Sequence, residues 1–85
     1  MDNIQELAKK LNEIDTMAYN IYENATNYII ENKITDIESI ERTLDGIMSI
    51  GTLDTSILFN RLCSYYRNIN IESANDYKKL YKMFK

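Results

Sequence analysis

Cys63 is the only thiol in a chain of 85 residues that contains no histidine. Those two facts remove most side-chain catalysis from consideration. Without histidine there is no serine–histidine or cysteine–histidine pair, no commonest general base and no usual zinc ligand. One cysteine cannot build a structural zinc site or an intrachain disulfide, and the lack of a disulfide fits a reducing cytoplasm. Cys63 also has no histidine to activate it, so a small buried or half-buried residue is the expectation. Glu38 and Glu41 fall at helical spacing with nothing nearby in sequence to raise a carboxyl pKa, and they read as a solvated face. No glycine-rich phosphate loop or calcium-loop pattern is present. The reading is a non-enzymatic protein: no catalytic residues, no cofactor-binding residues, no metal ligands and no cofactor.

What remains is chemistry of contact. Seven tyrosines offer large area with a polar tip, the type of side chain enriched at interfaces. Four of them, Tyr65, Tyr66, Tyr77 and Tyr81, sit at core spacing. Lys78, Lys79, Lys82 and Lys85 crowd one side of the last segment and form a candidate charged surface, although lysines near a helix C-terminus also suit its dipole. The net charge of −3 conceals a split. Residues 1–55 hold eleven acids and four bases (−7), and residues 56–85 hold two acids and six bases (+4). One pole of such a chain can face a charged partner, or the two halves can neutralise each other by packing together.

The elements that position these groups are helices. The chain has no proline and two glycines, too few turn residues for an all-β domain. Ile4, Leu7, Leu11, Ile14, Ala18, Ile21, Ala25 and Tyr28 recur in alternating steps of three and four. They predict one amphipathic helix of roughly 30 residues, about 45 Å long. Ala8, Met17, Tyr22 and Ile29 widen the stripe beyond a coiled-coil seam, so this helix should touch at least two neighbours. Tyr19 and Ile30 lie off the stripe. Asp15, at its edge, reads as a solvated rim residue or the site of a bend. Asp2 with Gln5 reads as the opening cap.

Asn32-Lys33-Ile34 should stop this helix, with Asn32 left-handed. Thr35 and Glu38 then make a capping box for a second helix with Ile37, Ile40, Leu44, Ile47 and Met48 inward. Glu38, Glu41, Arg42 and Asp45 point away from that stripe. Gly46 falls on its polar side, costing about 1 kcal/mol relative to Ala, and Gly51 marks its stop. Asp54 should cap a third helix, apolar around much of its girth and central to the packing, with Leu58, Leu62, Tyr65, Tyr66 and Ile69 on one face. Ser73 with Asp76 should open a fourth, with Ala74, Tyr77, Leu80, Tyr81 and Phe84 inward. The prediction is a single all-α domain spanning 1–85, a small four-helix bundle with an unusually long N-terminal helix. Its helices lie near residues 3–32, 36–50, 54–68 and 73–84. No leader or apolar run near 18 residues appears, so no membrane span and a cytoplasmic location are expected.

Three functions suit such a chain. The first is a protein-binding module, in the manner of small acidic helical phage or mobile-element products that inhibit or regulate a host protein. The first helix is too long for its shorter companions to cover if it runs straight. A homodimer with the two long helices antiparallel would cover it, with Ile14, Ala18, Ile21, Ala25 and Tyr19 as candidate interface residues. The competing account is a break near Asp15 or between Asn24 and Asn27 that folds the surplus back. The second function rests on a likeness. The stretch Leu58-Phe59-Asn60-Arg61-Leu62-Cys63-Ser64-Tyr65-Tyr66, followed by a basic final helix, resembles the third helix and tail of the enterocin-type bacteriocin immunity proteins. That likeness spans about a third of the chain and implies a cytoplasmic antiparallel four-helix bundle that protects a producer cell. The first half departs from it, and no functional residue carries over. The third is a helix-turn-helix in which Asn60, Arg61, Ser64 and Arg67 face DNA. The acidic second helix and negative net charge make nucleic acid the weaker partner class.

Overall fold

A computed structural model describes residues 2–84, with side chains from Asn3 onward. The Asp2 cap and Lys85 of the basic face therefore lie outside what is described. Helix α1 runs Asp2–Glu31, α2 Ile37–Ser49, α3 Ser56–Arg67 and α4 Ile71–Phe84, with no strand among the described residues. The protein is all-α, a small four-helix bundle with one long N-terminal helix. No described helix is long and apolar enough to cross a membrane.

Helix α1 is unbroken for 30 residues, and its length sets the 48 Å long axis of the molecule. There is no break at Asp15 or between Asn24 and Asn27. The helix ends in a Schellman motif, in which the Ile34 amide donates to the Ile29 carbonyl (3.0 Å) and the Lys33 amide to the Ile30 carbonyl (3.3 Å). The left-handed residue is Lys33, at φ 51°, rather than Asn32. The Asn32 side-chain amide instead donates to the Tyr28 carbonyl at 2.9 Å, which keeps Asn32 within the last turn.

The later helix starts shift by a residue or two. Asp36, not Thr35, stands at the α2 N-cap, where its carboxylate accepts from the Ser39 hydroxyl. That bond, the largest influence on it, holds the Asp36 carboxyl below its ordinary value. Helix α2 ends without a left-handed glycine: Ile50 is extended and its amide donates to the Ile47 carbonyl. Thr55 is the α3 N-cap residue, and the Asp54 carboxylate acts one residue earlier, accepting from the Ser56 amide at 2.9 Å. Helix α4 opens at Ile71, before Ser73, because the Asn70 side chain accepts from the Ser73 amide at 3.0 Å and so performs the capping.

The core draws Ile40, Leu44 and Ile47 from α2, Leu58, Phe59, Leu62, Cys63 and Tyr66 from α3, Ala74 from α4 and Ile29 from α1. Helices α2 and α3 each pack against all three others, and α3, which gives the core more residues than any other helix, is the centre of the fold, as its girth predicts. Helix α4 buries less than expected. Ala74, Tyr77 and Tyr81 face inward, whereas Leu80 and Phe84 are exposed.

The largest departure concerns which side of α1 faces the bundle. Tyr19, Tyr22, Thr26 and Ile29 pack inward, while the heptad stripe of Ile4, Leu7, Leu11, Ile14 and Ile21 points to solvent. The Asp15 carboxylate is neither a free rim group nor a hinge. It accepts from the amides of Gly51 (3.2 Å) and Thr52 (2.9 Å), and so holds the α2–α3 loop against α1. Gly46 is not on a polar side either: the Tyr22 ring lies directly over its α-carbon, where a β-carbon would stand.

Candidate functional site

The α1 stripe remains uncovered for two reasons. Ile14 and Ile21 lie to one side of the inward positions Asp15, Tyr19, Tyr22, Thr26 and Ile29, whereas Ile4 and Leu11, in line with Tyr22 and Ile29 five turns on, stay exposed because the N-terminal part of the helix runs past the bundle. Ile4, Leu7, Leu11, Ile14, Met17, Ile21 and Tyr28 keep between 50% and 74% of their surface in water. Residues 3–11 form an arm. They are all exposed, and hydrogen bonds from α1 to the bundle come from Asn12, whose side-chain amide donates to the Thr52 hydroxyl at 3.3 Å, and then from Asp15.

Among the candidate interface residues, Ile14 and Ile21 are exposed, and Ala18 and Ala25 are half-buried. Tyr19 is half-buried against the protein's own core, so it supports the fold beside the stripe. At its C-terminal end the stripe opens into a groove of about 480 Å³ between α1 and α2. Ala25, Tyr28 and Ile29 form one wall; Ile34, Ser39 and Thr43 form the other, with Asp36 at the rim. The Schellman motif builds this groove, since it folds Ile34 back toward Ile29. Periodicity alone missed Ile34 and Thr43. The signal that could have found them is the apolar residue directly after the Asn32-Lys33 stop, which that motif packs against the preceding turn.

The remaining polar side chains are largely engaged within the fold. The Tyr66 hydroxyl donates to Glu41 (2.6 Å) and the Tyr77 hydroxyl to Asp45 (2.9 Å), so these two carboxylates brace α3 and α4 and are not a bare solvated face. Burial foremost, and then the facing carboxylates, push both phenols above their ordinary value. Tyr65 donates to the Ile34 carbonyl at 2.6 Å, and Tyr81 shares a hydrogen bond with Thr55 while stacking on Phe59. Cys63 is buried; its thiol donates to the Ala74 carbonyl at 3.3 Å, and burial raises its pKa. Among the described residues no group of three Cys, Asp or Glu side chains converges as metal ligands would.

Lys78, Lys79 and Lys82 are exposed. Asn60, Arg61, Ser64 and Arg67 share an exposed side of α3, but the Arg61 guanidinium donates to Asn27 of α1 at 2.6 Å. The exposed Glu38–Arg42 pair lies within one helix turn and contributes a few tenths of a kcal/mol at most. The arrangement offers contact chemistry: an apolar strip the length of a helix, leading into an apolar groove. No family model, curated protein or solved structure matches the chain.

Proposed function

We propose that the protein is a non-enzymatic binding module whose working surface is the α1 stripe, and that its partner is a protein presenting an apolar helix face. The observation carrying this reading is that Ile4, Leu7, Leu11, Ile14, Met17 and Ile21 are exposed in one continuous line while the core is completed without them. Contiguous apolar surface of that extent marks an interaction site. Inhibition or regulation of the bound protein is the role that suits a chain of this size with no catalytic group in its site.

The test compares wild-type protein with Ile14→Glu and Ile21→Glu. Both positions are exposed, so the variants should keep wild-type helix content. A partner held by the wild type and released at least tenfold more readily by both variants supports the reading. Equal retention by all three places the binding surface elsewhere.

A further inference from the structure

We propose that a second copy of this chain occupies the α1 stripe, with the two α1 helices antiparallel and the N-terminal arm of each seated in the α1–α2 groove of the other. This deepens the reading of the stripe as a protein-binding surface and rests on it.

Area is the first argument. Seven large side chains from Ile4 to Tyr28 keep half or more of their surface in water along about 36 Å of helix, a strip comparable in scale with the roughly 800 Å² per partner that a stable specific complex buries. The largest apolar patch on a lone protein is usually only about 300–600 Å².

Self-complementarity is the second. Antiparallel pairing about a two-fold axis near Thr16 sets Leu7 against the partner copy's Ala25, and Ile14 against its Ala18. A large residue meets a small one at both levels. Leu11 then meets Ile21, and Ile4 meets Tyr28, so every exposed heptad position finds an apolar counterpart. Along one flank of the seam lie Asn3, Lys10, Met17 and Asn24, with no acid until Glu31. An acidic helix therefore meets its own copy there without facing acids, and the two antiparallel helix dipoles also oppose favourably. The Asp15 carboxylates approach the axis on the other flank, where each already accepts two backbone amides.

The groove is the third. In this register Ile4 and Leu7 arrive at the level of Tyr28 and Ala25, beside the opening of about 480 Å³ that Ile29, Ile34 and Thr43 also line. The arm and this groove are both unfilled in one copy. They lie at opposite ends of one stripe, so a two-fold axis brings each to the other twice. A parallel pair would set arm on arm and leave both grooves open.

Sedimentation and light scattering at micromolar concentration should give twice the 10.0 kDa chain mass, and Ile14→Glu should raise the dissociation constant at least tenfold. Disulfide trapping reads the register. Leu7→Cys mixed with Ala25→Cys should form a covalent heterodimer under mild oxidation, while neither variant alone should cross-link. Each variant carries one introduced cysteine, so the bond between positions 7 and 25 forms only between chains. Cys63 is buried, and the wild type serves as the blank.

A Leu7→Cys protein that cross-links to itself means a parallel pair and overturns the proposal. A dimer indifferent to Ile14→Glu places the contact between copies elsewhere and overturns the proposal. A monomer at every concentration overturns self-association alone, because the stripe is tested separately through the partner-retention experiment.

Discussion

Gly46 shows how one missing methyl can organise a helix pair. Ala is favoured over Gly by about 1 kcal/mol inside a helix, so Gly46→Ala would ordinarily stabilise α2. Here the new methyl would overlap the phenol end of the Tyr22 side chain, and an extra methyl in a packed contact costs about 1–3 kcal/mol. The expected outcome is a net loss of up to about 2 kcal/mol by urea denaturation. In a Tyr22→Ala background the sign should reverse, with Gly46→Ala gaining about 1 kcal/mol. A gain in both backgrounds would show that Tyr22 does not rest on this residue. The tyrosines that bond carboxylates govern a second property. Tyr66 and Tyr77 have phenols raised above the ordinary value of 10.0. Above that pH the folded state keeps protons that the unfolded state releases, so stability falls with rising pH and is lost through the folded values. Urea midpoints at about pH 8 and about pH 11 should therefore differ. A Tyr66→Phe, Tyr77→Phe double variant should narrow the gap.

At the scale of the element, the turn after α1 holds a correctable strain. Lys33 is left-handed at φ 51°, a conformation costing a non-glycine residue about 1–2 kcal/mol. Its side chain is exposed. Lys33→Gly should raise stability by several tenths to about 1 kcal/mol after the greater freedom of glycine in the unfolded chain is subtracted. A thermal melt that stays put or falls would show a role for the lysine side chain. The position of this turn was legible in Asn32-Lys33-Ile34, as were the four helices and the central place of α3. The orientation of α1 was not. Periodicity reports that an apolar stripe exists and carries no information about which molecule covers it. The inward side of α1 uses Asp15, Tyr19, Tyr22 and Thr26, whose polar atoms lower its apparent hydrophobicity below that of the outward side. Asp15 was unreadable for a related reason: its partners are the amides of Gly51 and Thr52, 36 and 37 residues away. Tertiary pairing of that kind leaves no local pattern.

For the whole molecule, two regions should respond oppositely to disruption. Leu62 has no exposed surface at the centre of α3, and Leu62→Ala should cost about 2–5 kcal/mol. Residues 3–11 are exposed and contribute nothing to the core, so removing residues 2–11 leaves the packed interior intact. At concentrations low enough to keep the chain monomeric, that deletion should change stability by less than about 0.5 kcal/mol. Calorimetry on dilute samples separates the two. A large loss from the deletion would mean that the arm folds back on the bundle.

The division between the outward and inward sides of α1 also bears on how such a protein can change over generations. On the proposed role, Ile4, Leu7 and Leu11 answer to the bound partner, and their exposure releases them from the demands of the chain's own interior. Most proteins stand just above the stability they need, so a substitution that retunes recognition is often purged because it unfolds its carrier. In the proposed binding module, recognition falls to residues that the folded core does not use. Specificity can drift in single steps along the arm, each intermediate remaining a folded protein available for selection.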